Sequence, residues 1–181
     1  MSDDASRAIP GKLVEGVFRR ALLGDLTPAL LEQLAAIGVD LSVPLAPAYP
    51  RPTWYRAIEL TAAALFASDT PEVQLRRLGQ HIIRSLKERG VIKGPWLSMA
   101  RLLGPRRALK QAADLAQGGP LKLTLVEKGK QEMEIFVEEG EQPELLAGVL
   151  EGTIALLGGK DPDAQVGERS PAGTTFLARW R

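Results

Sequence analysis

The sequence predicts an α/β (α+β) fold, an N-terminal helical half followed by a ββαββ antiparallel sheet with helices packed on it. Three observations predict it. Apolar residues recur at helical spacing through most of residues 1–119, the period falls to two after Pro120, and Gly or Pro marks nearly every change of pattern. With 181 residues, 45% hydrophobic and 25% charged, the chain is expected to form one domain, 1–181, made of a helical half (1–119) and a sheet half (120–181).

The helices follow in order. Leu13, Val17, Ala21 and Leu22 make one apolar face of a helix that runs to Leu23, and Gly24 ends it. Thr27 before Pro28 is an N-cap with proline at the first helical position, and Leu30, Leu31, Leu34, Ala35 and Ile37 supply the stripe until Gly38. Four prolines between Pro44 and Pro52 forbid a helix and predict an extended, ordered connector. Thr53 then caps a helix through Phe66. Next, Leu75, Leu78, Ile82 and Leu86 share one face, and Gly79 on that side predicts close approach of another backbone. Trp96 to Leu103 reads as a short apolar turn, after which Gly104 and Pro105 open a helix ending at Gly118-Gly119.

Past Pro120 the alternation Leu121, Leu123, Leu125, a turn near Gly129, and Met133, Ile135, Val137 predict a hairpin. A helix from Pro143 carries Leu146, Val149, Leu150, Ile154 and Leu157 and stops at Gly158-Gly159. Two shorter strands, around Ala164 to Val166 and Thr174 to Trp180, complete ββαββ.

Composition excludes much chemistry. The absence of cysteine removes disulfides and thiolate sites and favours a reducing compartment. The N-terminus lacks an apolar signal core and no run is long enough to span a bilayer, so a cytoplasmic protein is expected. There is no phosphate-binding Gly loop, nucleophile elbow or dinucleotide fingerprint, and Gly158-Gly159-Lys160 reads as a helix C-cap and turn. Acid pairs such as Glu138-Glu139 and Asp161/Asp163 read as strand ends and solvated turns. His81, the only histidine, excludes a multi-histidine metal site; it reads as a boundary residue, with axial haem ligation its one metal role. No cofactor and no catalytic residue are expected.

Charge is unevenly spread although the net charge is only +1. Between Val73 and Ala113 ten bases face one acid, Glu88; from Lys122 to Asp163 ten acids face four bases. Either the two regions neutralise each other within the fold, or the basic one meets an anionic partner. Arg106 and Arg107 sit beside Pro105 at the positive end of a helix, an arrangement that calls for an anion, supplied by a ligand or by a carboxylate of the chain. Arg76, Arg77 and Arg84 extend this candidate anion site. Tyr49, Trp54, Tyr55 and Arg56 form a second candidate, an interaction surface on the stiff connector, with aromatic anchoring of the loop as the plainer reading.

Several signatures resemble an uncharacterised paralogous family of similar length in myxobacteria: Leu13-Val14-Glu15-Gly16, Gly38-Val39-Asp40-Leu41 with Pro44-Leu45 and Tyr49-Pro50, Trp54, Leu75-Arg76-Arg77-Leu78-Gly79, Gly104-Pro105-Arg106-Arg107, the helix from Leu146 to Leu157, and Phe176-Leu177-Ala178-Arg179-Trp180. The element order also resembles haem nitric-oxide-binding domains, vinyl-reductase-type domains and trafficking-complex subunits. The Tyr-x-Ser-x-Arg haem signature is missing, and the lack of cysteine removes the vinyl-reductase type of site. The resemblance implies a non-catalytic regulatory or signalling module that binds a protein partner or a small ligand and associates with itself through a helical face. The alternative is a nucleotide- or nucleic-acid-binding protein using the basic Arg76 to Lys110 region; no membrane role is expected.

Overall fold

The structure, a computed structural model, describes residues 8–116, 122–138 and 142–181. The expected helix end at Gly118-Gly119, the breaker Pro120, the strand start at Leu121, Glu139 and the side chain of Trp96 lie outside what it describes. The chain makes two compact units, Met1–Leu78 and Gly79–Arg181. The division falls inside the helix Pro71–Glu88.

In the first unit, β1 (Ile9–Pro10) pairs antiparallel with β2 (Ala48–Tyr49), a contact of two residues per strand and too short to leave a periodic signal. The adjoining Gly11 donates its N–H to the Pro47 carbonyl at 2.7 Å, and a Cβ there would overlap the Ala46 carbonyl oxygen. Helix α1 (Gly11–Val14) continues as a π-helix over Glu15–Leu22 and closes in a 3-10 turn, Leu23–Asp25. Val14, Val17, Phe18, Ala21 and Leu22 are its buried hydrophobic residues. Their spacing marks the inward stripe but does not tell i+5 from i+4 backbone bonding over so few turns.

Helix α2 (Pro28–Ala36) starts as the sequence predicts, with the Thr27 hydroxyl accepting from the Leu30 N–H at 3.2 Å. The proline-rich connector is tied down from both sides. Arg19 donates to the Leu41 carbonyl at 3.0 Å and to that of Val43, while the Tyr49 hydroxyl accepts from the Ala46 N–H at 3.0 Å. Helix α3 (Arg51–Leu65) begins two residues before the expected Thr53 cap, because Pro52 in the first turn gives up only an N–H that lacks a helical partner. Helix α4 (Pro71–Glu88) follows.

The second unit takes in α4 from Gly79 onward. Helix α5 (Pro95–Ala116) is two helical pieces joined by a bend at Gly104, whose φ of 77° is in the left-handed region. The predicted apolar turn over residues 96–103 is therefore helical, and Pro105 opens the second piece as expected. Strands β3 (Leu123–Gly129) and β4 (Glu132–Glu138) form the first hairpin, then come α6 (Pro143–Leu156), β5 (Asp163–Ser170) and β6 (Gly173–Arg179). The final strands are longer than their apolar cores. All neighbours are antiparallel in the order β3-β4-β6-β5, so the hairpins meet through β4 and β6, with Ile135 opposite Phe176. Met133, Ile135 and Val137 of β4 and Phe176 and Ala178 of β6 are buried with Ala147 and Ile154 of α6 and Ala108 and Leu109 of α5. This is the α+β arrangement of helices on an antiparallel sheet that the change of period predicts.

Gly79 holds α4 against α6. A Cβ at Gly79 would overlap the Leu145 carbonyl oxygen and stand 2.7 Å from the Val149 nitrogen; one at Gly152 would stand 2.9 Å from Ile83 Cβ. The substitution Gly79→Ala is expected to lower stability by about 3 kcal/mol through overpacking against backbone. Gly16→Ala, where a Cβ meets nothing within 4 Å, should be neutral or stabilising by up to about 1 kcal/mol. Denaturant melts of the two variants check this, and equal effects would refute the assignment of Gly79 as a contact glycine.

Candidate functional site

The basic residues singled out by sequence are dispersed into separate environments. On α4, Arg77 bonds Asp69 at 2.5 Å with its guanidinium 4.7 Å above the Phe66 ring, and Arg76 is half-buried. Arg84, exposed, lines a cavity further along the same helix. Arg106, at the start of the second piece of α5, lies 3.4 Å from Glu127 of β3, and Lys110 one turn later bonds the other oxygen of the same carboxylate at 2.8 Å. An acid of the sheet thus meets two bases of the helix. Arg107, beside them, is exposed.

The aromatic candidates are split between core and surface. Tyr49 and Trp54 are buried, Trp54 meeting Phe18 edge-on at 6.0 Å, so both anchor the connector. Tyr55 is half-buried, and Arg56 is exposed with Glu59 at 3.8 Å.

One functional group escaped the sequence reading. Glu151 of α6 is 4% exposed, and its carboxylate accepts from Gln80 Nε2 at 2.6 Å and from the Ala164 N–H at 3.0 Å. It stands between Ala147 and Ile154, both fully buried, and an acid within an apolar helical stripe was the signal available. Glu151 and Gln80 form part of the wall of a 360 Å³ cavity, with Arg84 and Lys87 also lining it. A second, more open hollow of 480 Å³ is lined by Lys130, Glu132, Asp161, Arg179, Trp180 and Arg181 among others, with ion pairs from Arg179 to Glu132 and from Arg181 to Asp161.

Among the described residues no three His, Cys, Asp or Glu side chains gather as a metal site, and no helix is long and apolar enough to cross a membrane. Haem iron takes a His, Cys, Met or Tyr as axial ligand. Neither of these two cavities is lined by one, so neither offers haem an axial ligand. The only imidazole, His81, is half-buried on α4 with Nε2 3.4 Å from the Ser85 hydroxyl.

The arrangement, helices leading into hairpin, helix and hairpin, is an α+β fold similar to that of solved H-NOX domains. Solved structures share it at 12–14% identity, a likeness of fold. A structure describing the modulation of haem redox potential by porphyrin distortion matches with a TM-score of 0.62 at 13% identity, covering 96% of this chain and 95% of that one. An oxygen-binding H-NOX domain related to soluble guanylate cyclases, in its oxygen complex, matches with 0.61 at 12%, covering 96% and 95%. A T. tengcongensis H-NOX variant matches with 0.61 at 14%, covering 96% and 98%. The chain itself belongs to DUF2378, a family of proteins of unknown function, whose model matches residues 7–181. No curated protein matches the sequence.

These neighbours correct the expectation of a chain without a cofactor. The proteins that share its fold include haem proteins, and haem is the cofactor to which that likeness points. Sequence reasoning went astray by resting on a missing side-chain motif, whereas the shared feature is the backbone arrangement.

The Lys110 hydrogen bond and the charges of Arg106 and Lys110 hold the Glu127 carboxyl below the ordinary glutamate range, against a smaller opposing effect of burial. Because the folded value is depressed, the contribution to stability is present above the unfolded glutamate value and is lost as pH falls through the folded one. Lys110→Ala should raise the Glu127 titration midpoint toward the ordinary value, and by more than Arg106→Ala does. Side-chain carboxyl NMR measures it, and a wild-type Glu127 titrating in the ordinary range would refute the pairing.

Proposed function

We propose that the chain is a non-catalytic sensing module of a signalling system, binding a small ligand on an H-NOX-type scaffold and passing its state to a protein partner or a second copy. The observation that carries this reading is the likeness of fold over 96% of the chain to haem-binding and oxygen-binding domains. The sequence adds that it has no phosphate loop, nucleophile elbow or dinucleotide fingerprint. Haem is the first ligand to test, with His81 as the axial candidate. A haem bound there would supply an iron centre for a diatomic gas. The chain's own part would be to present the imidazole, with the Ser85 hydroxyl 3.4 Å from Nε2 to orient the ring.

Haem titrated into the purified protein should give a sharp Soret band saturating at one haem per chain. His81→Ala should shift that band and weaken binding by at least about 10-fold, roughly the loss of one coordinating contact. A wild-type spectrum equal to that of free haem, or the same spectrum in His81→Ala, would reject haem ligation by His81.

A further inference from the structure

We propose that the first piece of α5, residues 95–103, docks on an anionic lipid membrane, with Met99 and Leu102 entering the headgroup layer and nearby cations meeting the lipid phosphates. A helix of a folded domain ordinarily sets one apolar stripe against the core and polar residues opposite. This piece has two apolar stripes. Leu97 and Ala100 are buried, whereas Pro95, Met99, Leu102 and Leu103, spaced i, i+4, i+7 and i+8, form an exposed one. At 100° per residue the two stripes lie on nearly opposite sides of the helix. Met99 is 59% exposed, and Leu102, at 89%, is the most exposed large apolar side chain among the described residues. Arg101 Nε donates to the Leu156 carbonyl at 2.9 Å, which helps to hold the piece on the end of α6 with this stripe outward.

Charge selects the occupant. From Arg89 to Ala113 the chain has six cations and no acid. Arg106 and Lys110 share Glu127, while Lys93, Arg101 and Arg107 are exposed, Lys93 two residues before the piece and Arg107 four residues after it. A second copy in a two-fold contact would set this basic face against itself. Neither hollow described above is lined by the stripe, so a small ligand in either would leave it bare. A lipid surface receives protruding apolar side chains without a complementary pocket, and its phosphates complement the cations. The expectation of no membrane role rested on the lack of a spanning run, which a surface contact does not need.

The test is flotation of the full chain with vesicles of phosphatidylcholine alone or with about 30% phosphatidylserine. Partitioning onto the anionic vesicles is expected to be at least about 10-fold stronger, and to fall steeply as salt rises toward about 1 M. Met99→Ser with Leu102→Ser should weaken it by about 10-fold or more, and so should Lys93→Gln with Arg107→Gln, at roughly 5-fold per cation. All four side chains are exposed, so both double variants should keep the wild-type melting curve. No partitioning, equal partitioning onto uncharged vesicles, or wild-type binding by either double variant would overturn the proposal. In the absence of vesicle binding, capture of a synthetic acidic amphipathic peptide would assign the face to a protein partner, and a dimer dissociated by the Met99→Ser, Leu102→Ser variant would assign it to a second copy.

Discussion

Close contact between the backbones of α4 and α6 governs the second unit. Gly79 lies against Leu145, Gly148 and Val149, and Gly152 lies against Gln80 and Ile83, so each helix offers a hollow to the other. A glycine within a helix costs about 1 kcal/mol relative to alanine. The close approach offsets that cost by bringing main chains into van der Waals contact and Gln80 within 2.6 Å of Glu151. The second oxygen of Glu151 then takes the Ala164 N–H in β5. One crossing therefore fixes helix to helix and, through a single carboxylate, helix to sheet.

The charged residues act locally. Glu127 answers Arg106 and Lys110 from the neighbouring strand, so the positive start of the second α5 piece meets an acid of the chain. The partners are more than a third exposed, and pairs of that kind add little stability. Their physical effect is orientation. Gly104 bends α5 so that a new helix start, with its unpaired N–H groups and two arginines, lies near β3, and Glu127 relieves the like charge gathered there. Arg77 is held in its own setting by Asp69 and Phe66.

Features that repeat along the chain were legible. Alternation at Met133, Ile135 and Val137 placed β4 and its buried face, and the glycine on the apolar side of α4 announced a close backbone neighbour. Features made by one residue or by partners distant in sequence were not. The β1–β2 pair joins Ile9 to Tyr49, forty residues apart, with no period to detect. The strand order, with β4 beside β6, depends on where α6 returns the chain. At the candidate site the sequence pointed to arginines, of which Arg84 does line a cavity, but missed Glu151, which was counted with the other acids from Lys122 to Asp163 as one region opposing the basic helices.

His81 and the residues of α4 that line the Glu151 cavity lie on adjoining parts of one helix, with His81 and Arg84 at i and i+3. At 100° per residue, His81 is turned about 100° from Gln80, while Ile83, Arg84 and Lys87 fall within about 60° of it. Ser85, next to His81 in space, follows the imidazole side. The residues that hold α4 against α6 include two glycines, main-chain atoms, the Ile83 side chain and the Gln80–Glu151 hydrogen bond. The likeness of fold over 96% of the chain at 12–14% identity is a likeness of backbone arrangement.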